Sequence, residues 1–221
     1  LPIFSRTVRT KWAEWQTILA GGVACAGFAI LNKFSLADSL VVLAAASVGQ
    51  FVRGRLNRRW LNQFGVAALA SAAACLVYLM LADLLTNTGL HTIHGPGYVA
   101  SLLFLVPGFP MITSILDMVR MDFTAGLSRA AYSFGLILAA TMSAWMFSAA
   151  TGLQPLPAQT VFPYPWAWLA YAVATACGVA GFAVIFNSPP RTVAWAARAP
   201  LSLSTKASPM RRLRSRPSPS S

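Results

Sequence analysis

The stretch Leu102 to Arg120, "LLFLVPGFPMITSILDMVR", decides how this chain is interpreted. It is almost wholly apolar, yet Pro107, Gly108 and Pro110 lie in its middle. A proline inside a helix removes a backbone donor and clashes with the preceding turn. In a lipid bilayer, the carbonyl groups freed by such a break need partners from protein or from trapped water. The meaning of the interruption therefore depends on whether the surrounding chain lies in lipid.

The composition indicates a membrane protein. Of 221 residues, 57% are hydrophobic and 10% are charged, whereas soluble domains have about a quarter of their residues charged. The net charge of +12 does not indicate nucleic-acid binding, because the basic residues form short clusters between apolar runs. No basic face with interleaved aromatic residues is present. We therefore expect the surface of the protein to contact lipid.

Apolar runs of about 20 residues are candidates for membrane-spanning helices. Six such runs occur, at residues 15–31, 36–52, 64–85, 98–119, 126–150 and 166–186. No alternation typical of strands competes with them. The sequence therefore predicts an all-α polytopic membrane protein with about six transmembrane helices.

The loop charges predict the orientation. Sixteen Lys and Arg residues fall on one side of the six spans, and Lys33 alone falls on the other. An excess of Lys and Arg marks cytoplasmic loops, so we expect both termini in the cytoplasm. Residues 1–14 are then a cytoplasmic N-terminal segment, and residues 15–152 form a five-helix transmembrane unit.

An internal repeat links the first and sixth spans. Residues 24–32 read "ACAGFAILN" and residues 178–187 read "GVAGFAVIFN". Five spans per repeat force inverted topology, which is common in secondary transporters. Residues 153–190 then hold an outside loop and the first helix of a second repeat. We expect residues 191–221, a basic tail rich in Ser, Pro and Arg, to be disordered, or to result from a truncated or frameshifted reading frame.

The interrupted fourth span is the main candidate site. One interpretation of Pro107, Gly108 and Pro110 is a packing kink. The other is a discontinuous helix whose exposed backbone groups bind charged groups of a substrate.

Three ionisable residues follow the interruption: Asp117, Asp122 and Arg129. Such residues in membrane segments mark substrate or proton sites. The alternatives are an interfacial pair of Asp117 with Arg120, and a solvated turn holding one ion pair of Asp122 with Arg129.

Other kinds of site have little support. His91 and His94 are three residues apart but have no third ligand nearby, and no nucleophile motif or phosphate-binding loop is found. We therefore expect no metal, no cofactor and no enzymatic activity.

The segment 105–129, "LVPGFPMITSILDMVRMDFTAGLSR", resembles the signature of the threonine/serine exporter family, and "GFAVIFNSPPR", residues 181–191, resembles the opening of that family's second membrane half. The resemblance implies a bacterial inner-membrane exporter of small amino acids, one branch being associated with dicarboxylates. Family members have a cytosolic N-terminal domain and two five-helix halves, on one chain or two. The motif positions here are Pro107, Gly108, Asp117, Asp122 and Arg129.

The expected function is export of threonine, serine or a similar small solute, driven by an ion or proton gradient. Backbone groups at the break, Pro107 to Pro110, would bind the solute, while Asp117 or Asp122 would hold its ammonium group or carry a proton. Arg129 would hold an acid in place or contact a carboxylate. The alternatives are a dicarboxylate exporter and a non-transporting subunit or fragment that needs a second membrane half. A homo-oligomer is also consistent with the sequence.

Overall fold

The computed structural model describes residues 12–59, 62–89, 97–152 and 167–200, and every regular element within these ranges is a helix. The helices are α1 (Glu14–Leu31), α2 (Leu36–Asn57), α3 (Gln63–Asn87), α4 (Gly97–Ala100), α5 (Gly108–Val119), α6 (Phe123–Thr151) and α7 (Ala167–Ile185), with a 3₁₀ turn at Leu103–Leu105. Five helices are long and apolar enough to cross a membrane, and the bent pair Gly97–Leu105 and Gly108–Val119 would be a sixth span. The predicted all-α fold with about six spans is confirmed.

The second span is longer than predicted. The expected end was residue 52, but α2 continues to Asn57 and includes Arg53 and Arg55. Arginine is a good helix former, and its long apolar stem lies comfortably along a helix near the membrane boundary. Arg53 and Arg55, which the sequence prediction placed in a loop, therefore belong to the last turns of α2.

Small residues allow the helices to pack closely. Buried alanines are spread over α1, α2, α3, α6 and α7. In lipid, where apolar side chains gain little by leaving the solvent, close backbone approach is a main source of helix association. Two serine hydroxyls also bridge α3 and α6: Ser71 Oγ donates to Ala140 O and Ser143 Oγ donates to Ala68 O, both at 2.9 Å.

Helices α1 and α7 approach each other closely. A Cβ added at Gly27 would lie 2.6 Å from Ala174 O, and a Cβ added at Gly181 would lie 2.5 Å from Ala20 O. The same spacing of 154 residues separates Gly27 from Gly181 and Ala20 from Ala174. The two helices thus make equivalent contacts with each other.

The chain leaves α1 and α7 in the same way, again 154 residues apart. Both exits pass through a left-handed residue, Lys33 at φ 66° and Asn187 at φ 56°. The next amide in each case donates across five residues, Phe34 N to Ala29 O at 3.1 Å and Ser188 N to Ala183 O at 2.9 Å. The sequence repeat therefore coincides with a repeat of backbone geometry.

A helix follows in both places. Just as α2 begins at residue 36, the segment 190–200 is helical from residue 190. The prediction of a disordered tail is wrong for residues 191–200. Proline is well suited to the first turn, where its missing amide has no intrahelical partner, and "RTVAWAARA" contains good helix formers. Residues 201–221, the loop 153–166, His91 and His94 lie outside the described residues.

Candidate solute site at a broken span

The fourth span is interrupted at Pro107. Its two parts, Gly97–Leu105 and Gly108–Val119, meet at an angle of 58°. Pro107 has φ −80° and ψ 64°, and Gly108 N donates to Val106 O at 2.9 Å, which together are the marks of an inverse γ-turn. Pro110 lies in the first turn of α5, where a missing amide costs little. The predicted interruption is confirmed, and it is a true break of helical hydrogen bonding rather than a kink.

A side chain from α2 provides a partner for a carbonyl next to the break. Phe104 lies in the 3₁₀ turn just before it, and Arg53 Nη1 donates to Phe104 O at 2.9 Å. In a bilayer an unpaired carbonyl costs several kcal/mol. Arg53 therefore stabilises the broken geometry and is itself held in place by it.

A cavity of about 310 Å³ lies beside the break. Pro107 and Pro110 line it on one side, and Phe182 of α7 and Phe186, just after the end of α7, line it on another. The polar wall comes from α2, which contributes Gln50, Arg53, Gly54 and Asn57. These positions are spaced i, i+3, i+4 and i+7, so they share one face of the helix.

Gln50 has an unsatisfied atom in this wall. Its Oε1 is buried and has no hydrogen-bond partner in the described part of the chain. Buried polar atoms in native proteins are nearly always paired, and an exception calls for an explanation. Gln50 is among the residues lining the cavity, but its Oε1 is covered by protein atoms, so a solute would reach it only after the side chain rotates.

Sequence reasoning missed Gln50 and Arg53. The signal was present, since Gln50, Arg53 and Asn57 form a polar stripe at helical spacing at the end of an apolar run. Arg53 was missed because the predicted second span ends at residue 52, which places this arginine among the loop charges.

The other predicted residues lie at the far end of α5. Arg129 Nη1 donates to Asp117 Oδ2 at 2.7 Å, with 51% of the arginine side chain and 21% of the aspartate side chain exposed. Asp117 therefore pairs with Arg129 on α6, and not with Arg120, the C-cap residue of α5.

Asp122 has a different contact. Its side chain accepts a hydrogen bond from Ala125 N at 3.2 Å and caps the start of α6. Its own amide donates to Asp117 O at 3.0 Å. Asp122 therefore shapes the turn that presents Asp117 to Arg129.

The structure thus divides the predicted site residues into two groups. Pro107 and Pro110 line the cavity, and Gly108 lies next to it. Asp117 lies about 14 Å further along α5, at about 1.5 Å per residue. Asp117, Asp122 and Arg129 are not among the residues lining the cavity. Within the described ranges, no group of three or more His, Cys, Asp or Glu residues could hold a metal ion.

Comparison with known proteins identifies the family. The model of the ThrE family of threonine/serine exporters matches residues 6–151. The chain belongs to the ThrE family. The match includes the broken span and the turn with Asp117, Asp122 and Arg129, so the resemblance predicted from these residues is confirmed. The chain is therefore a multi-pass membrane protein of a transporter family.

Curated relatives of this ThrE-family chain are named transporter subunits. It is 30% identical over 151 residues to the "Probable succinate transporter subunit YjjP" of Escherichia coli K12, covering 68% of this chain and 58% of that protein. The protein of the same name from Klebsiella aerogenes is 31% identical over 152 residues, with 68% and 57% covered. The chain thus matches less than two thirds of the length of these relatives. No solved structure matches the chain.

Proposed function

We propose that this chain is one membrane half of a secondary exporter that moves threonine, serine or a similar small hydrophilic solute across the bacterial inner membrane. The observation that supports this most directly is the broken fourth span beside a cavity of about 310 Å³. Transporters commonly place their solute at discontinuous helices, where backbone groups are free to bind it. A cavity at the lower end of the usual range for ligand pockets, about 300–1,000 Å³, suits a solute of few atoms.

The energy source in this proposal is an ion or proton gradient. Asp117 is the coupling carboxylate, and Arg129 holds it in place when it is ionised. When Asp117 is protonated it no longer carries the charge that pairs with Arg129, so the net charge at the α5–α6 turn changes. Helix α5 connects this turn to the break. Asp122 acts indirectly by fixing the turn geometry.

A second membrane half completes the transporter in this proposal. The equivalent glycine contacts of α1 and α7, and the equivalent chain paths after them, support an inverted repeat that begins at α7. The helical segment 190–200 would be the counterpart of the start of α2. The word "subunit" in the names of the relatives also favours a partner chain.

A dicarboxylate is the second candidate solute. The relatives from Escherichia coli and Klebsiella aerogenes are named for succinate, whereas the family is named for threonine and serine. Both solute classes carry a carboxylate, which is compatible with the arginine in the cavity wall.

The proposed orientation places both termini in the cytoplasm. Trp12 Nε1 donates to Ser188 O at 2.8 Å, so the start of α1 and the end of α7 lie at one end of the bundle. Asn57 and Gln63, which flank the α2–α3 link, line the cavity. With the link in the cytoplasm, as the loop charges indicate, the cavity lies at the cytoplasmic end, where an exporter takes up its solute.

Efflux measurements test the proposal. Cells that lack their own exporters are loaded with labelled threonine or succinate and express this chain alone, its partner half alone, or both. We expect efflux only when both are present, and its loss when the gradient is collapsed. Efflux from the chain alone would contradict the need for a second half, and no efflux of any small solute from the pair would contradict the transport function.

A further inference from the structure

We infer that the cavity beside the break is a carboxylate-binding site in which Arg53 binds the solute. This rests on the proposed transport function for its physiological meaning, but the binding itself stands on contacts within the described residues. In this inference the residue that selects the solute, Arg53, belongs to α2.

The first argument is the charge of the cavity. Arg53 is the only charged residue among those that the structure gives as lining it. The ion pairs among the described residues are Arg58 with Glu14 and Arg129 with Asp117, so Arg53 has no acidic partner there. Burying an arginine side chain is costly unless an anion or several polar groups compensate its charge. The cavity therefore has the charge that an anionic group would neutralise.

The second argument is the geometry of the arginine. A guanidinium group has five N–H donors in a planar fork. The described residues give Arg53 one acceptor, Phe104 O, on Nη1. This bond orients the fork at the cavity wall and leaves donors for a carboxylate, the group that arginine binds best in a bidentate way.

The third argument is the set of neutral polar side chains nearby. Gln50 lies one helical turn before Arg53, and its buried Oε1 has no partner in the described chain. The lining also includes the amides of Asn57 and Gln63 and the phenol of Tyr132. These neutral groups suit the remaining polar atoms of a small solute.

The arginine also connects the site to the shape of the fourth span. Phe104 O is free to accept from Arg53 because helical hydrogen bonding stops at the break. A straightened span would engage that carbonyl within the helix and release Arg53. Binding of a carboxylate and breakage of the span are therefore linked through one side chain.

The experiment is calorimetric titration of the full chain purified in detergent. The probes are threonine, succinate and threoninamide, which keeps the ammonium and hydroxyl groups of threonine but lacks the carboxylate. We expect binding of threonine or succinate and none of threoninamide. Whichever acid binds identifies the source of the carboxylate, while equal binding of threonine and threoninamide, or no binding of either acid, would overturn the inference.

Variants assign the binding to Arg53. Arg53→Gln should weaken binding of the acid by about tenfold or more, as expected when a charge-assisted hydrogen bond is lost. The matched control is Arg55→Gln, which removes the same charge two residues away on an exposed position that does not line the cavity. Equal affinities of the two variants would overturn the inference.

A second variant covers the case in which Arg53→Gln fails to fold. Gln50→Glu is nearly isosteric and places a carboxylate one turn from Arg53, so it should occupy the arginine and weaken binding of the acid by a similar factor. Undiminished binding in folded Gln50→Glu protein would overturn the inference. Efflux distinguishes the two proposals: transport that does not depend on Arg53 would reject this site alone, and Arg53-dependent binding without efflux from the assembled pair would reject the transport function alone.

Discussion

Arg129 Nη1 lies 2.7 Å from Asp117 Oδ2, so the acid near the end of α5 is paired with the second turn of α6. The pair is partly exposed, with the arginine side chain 51% exposed. Exposed ion pairs stabilise proteins by only about 0–1 kcal/mol. We therefore expect the pair to contribute little to folding stability.

Asp117→Asn should abolish efflux while the protein still inserts and accumulates. Asparagine keeps the shape of the side chain and cannot release a proton, so a coupling carboxylate would stop working. The measurement is efflux from cells with both halves, normalised to the membrane level by blot. Asp83→Asn is the control, because it makes the same change on an exposed position of α3, and normal efflux from Asp117→Asn would reject Asp117 as the coupling group.

Asp122 should behave differently from Asp117. Asn is as good an N-cap as Asp, whereas Ala at such a position costs about 0.5–2 kcal/mol. We therefore expect Asp122→Asn to retain efflux and Asp122→Ala to unfold at a lower temperature, as followed by circular dichroism in detergent. Loss of efflux in a stable Asp122→Asn protein would instead make its charge part of the transport site.

The α1–α7 contact should not tolerate a methyl group. Gly27→Ala would place a Cβ 2.6 Å from Ala174 O, and overpacking of this kind costs about 1–3 kcal/mol. Gly65→Ala is the control, since a Cβ there meets no atom within 4 Å and alanine is favoured over glycine in a helix. Thermal unfolding should separate the two variants, and equal melting temperatures would argue against close contact of the helices.

The break should be necessary for transport. Replacing both Pro107 and Pro110 with Ala removes the obstacle to a continuous helix, which would close off the carbonyl that Arg53 uses. We expect efflux to fall to background at normal protein level. Pro190→Ala, at the first residue of the helical segment 190–200, should have little effect, and full activity of the double variant would remove the break from the mechanism.

The orientation has a direct test. A reporter enzyme that is active only outside the cytoplasmic membrane should give no signal when it is fused to Ser221, and a strong signal when it is fused within residues 153–166. The reason is the excess of Lys and Arg on one side of the spans. A signal from the fusion at Ser221 would contradict the six-span topology.

The helices themselves could be predicted closely from sequence. A span needs about 20 apolar residues, and this requirement is local, so the predicted runs and the helices agree to within a few residues at most ends. The break was also predictable, because Pro107 and Pro110 act on their own backbone.

Contacts between helices could not be predicted in the same way. Asp117 has Arg120 three residues away in sequence and Arg129 twelve residues away. It pairs with Arg129 because the α5–α6 turn brings that side chain close. Arg53 and Phe104 are 51 residues apart, and nothing local to either indicates their bond. The helix after residue 190 was missed because the segment is too short and too polar to be a span by composition.

The equivalent contacts of α1 and α7 also restrict how copies of this chain can associate. Each helix presents its small-residue face to the other within a single molecule. A second copy could use that face only by exchanging α7 between molecules. A partner that supplied its own counterpart of α7 would meet an occupied position and would have to displace this one. The face of α1 that contacts α7 is therefore closed to a second molecule unless α7 is displaced.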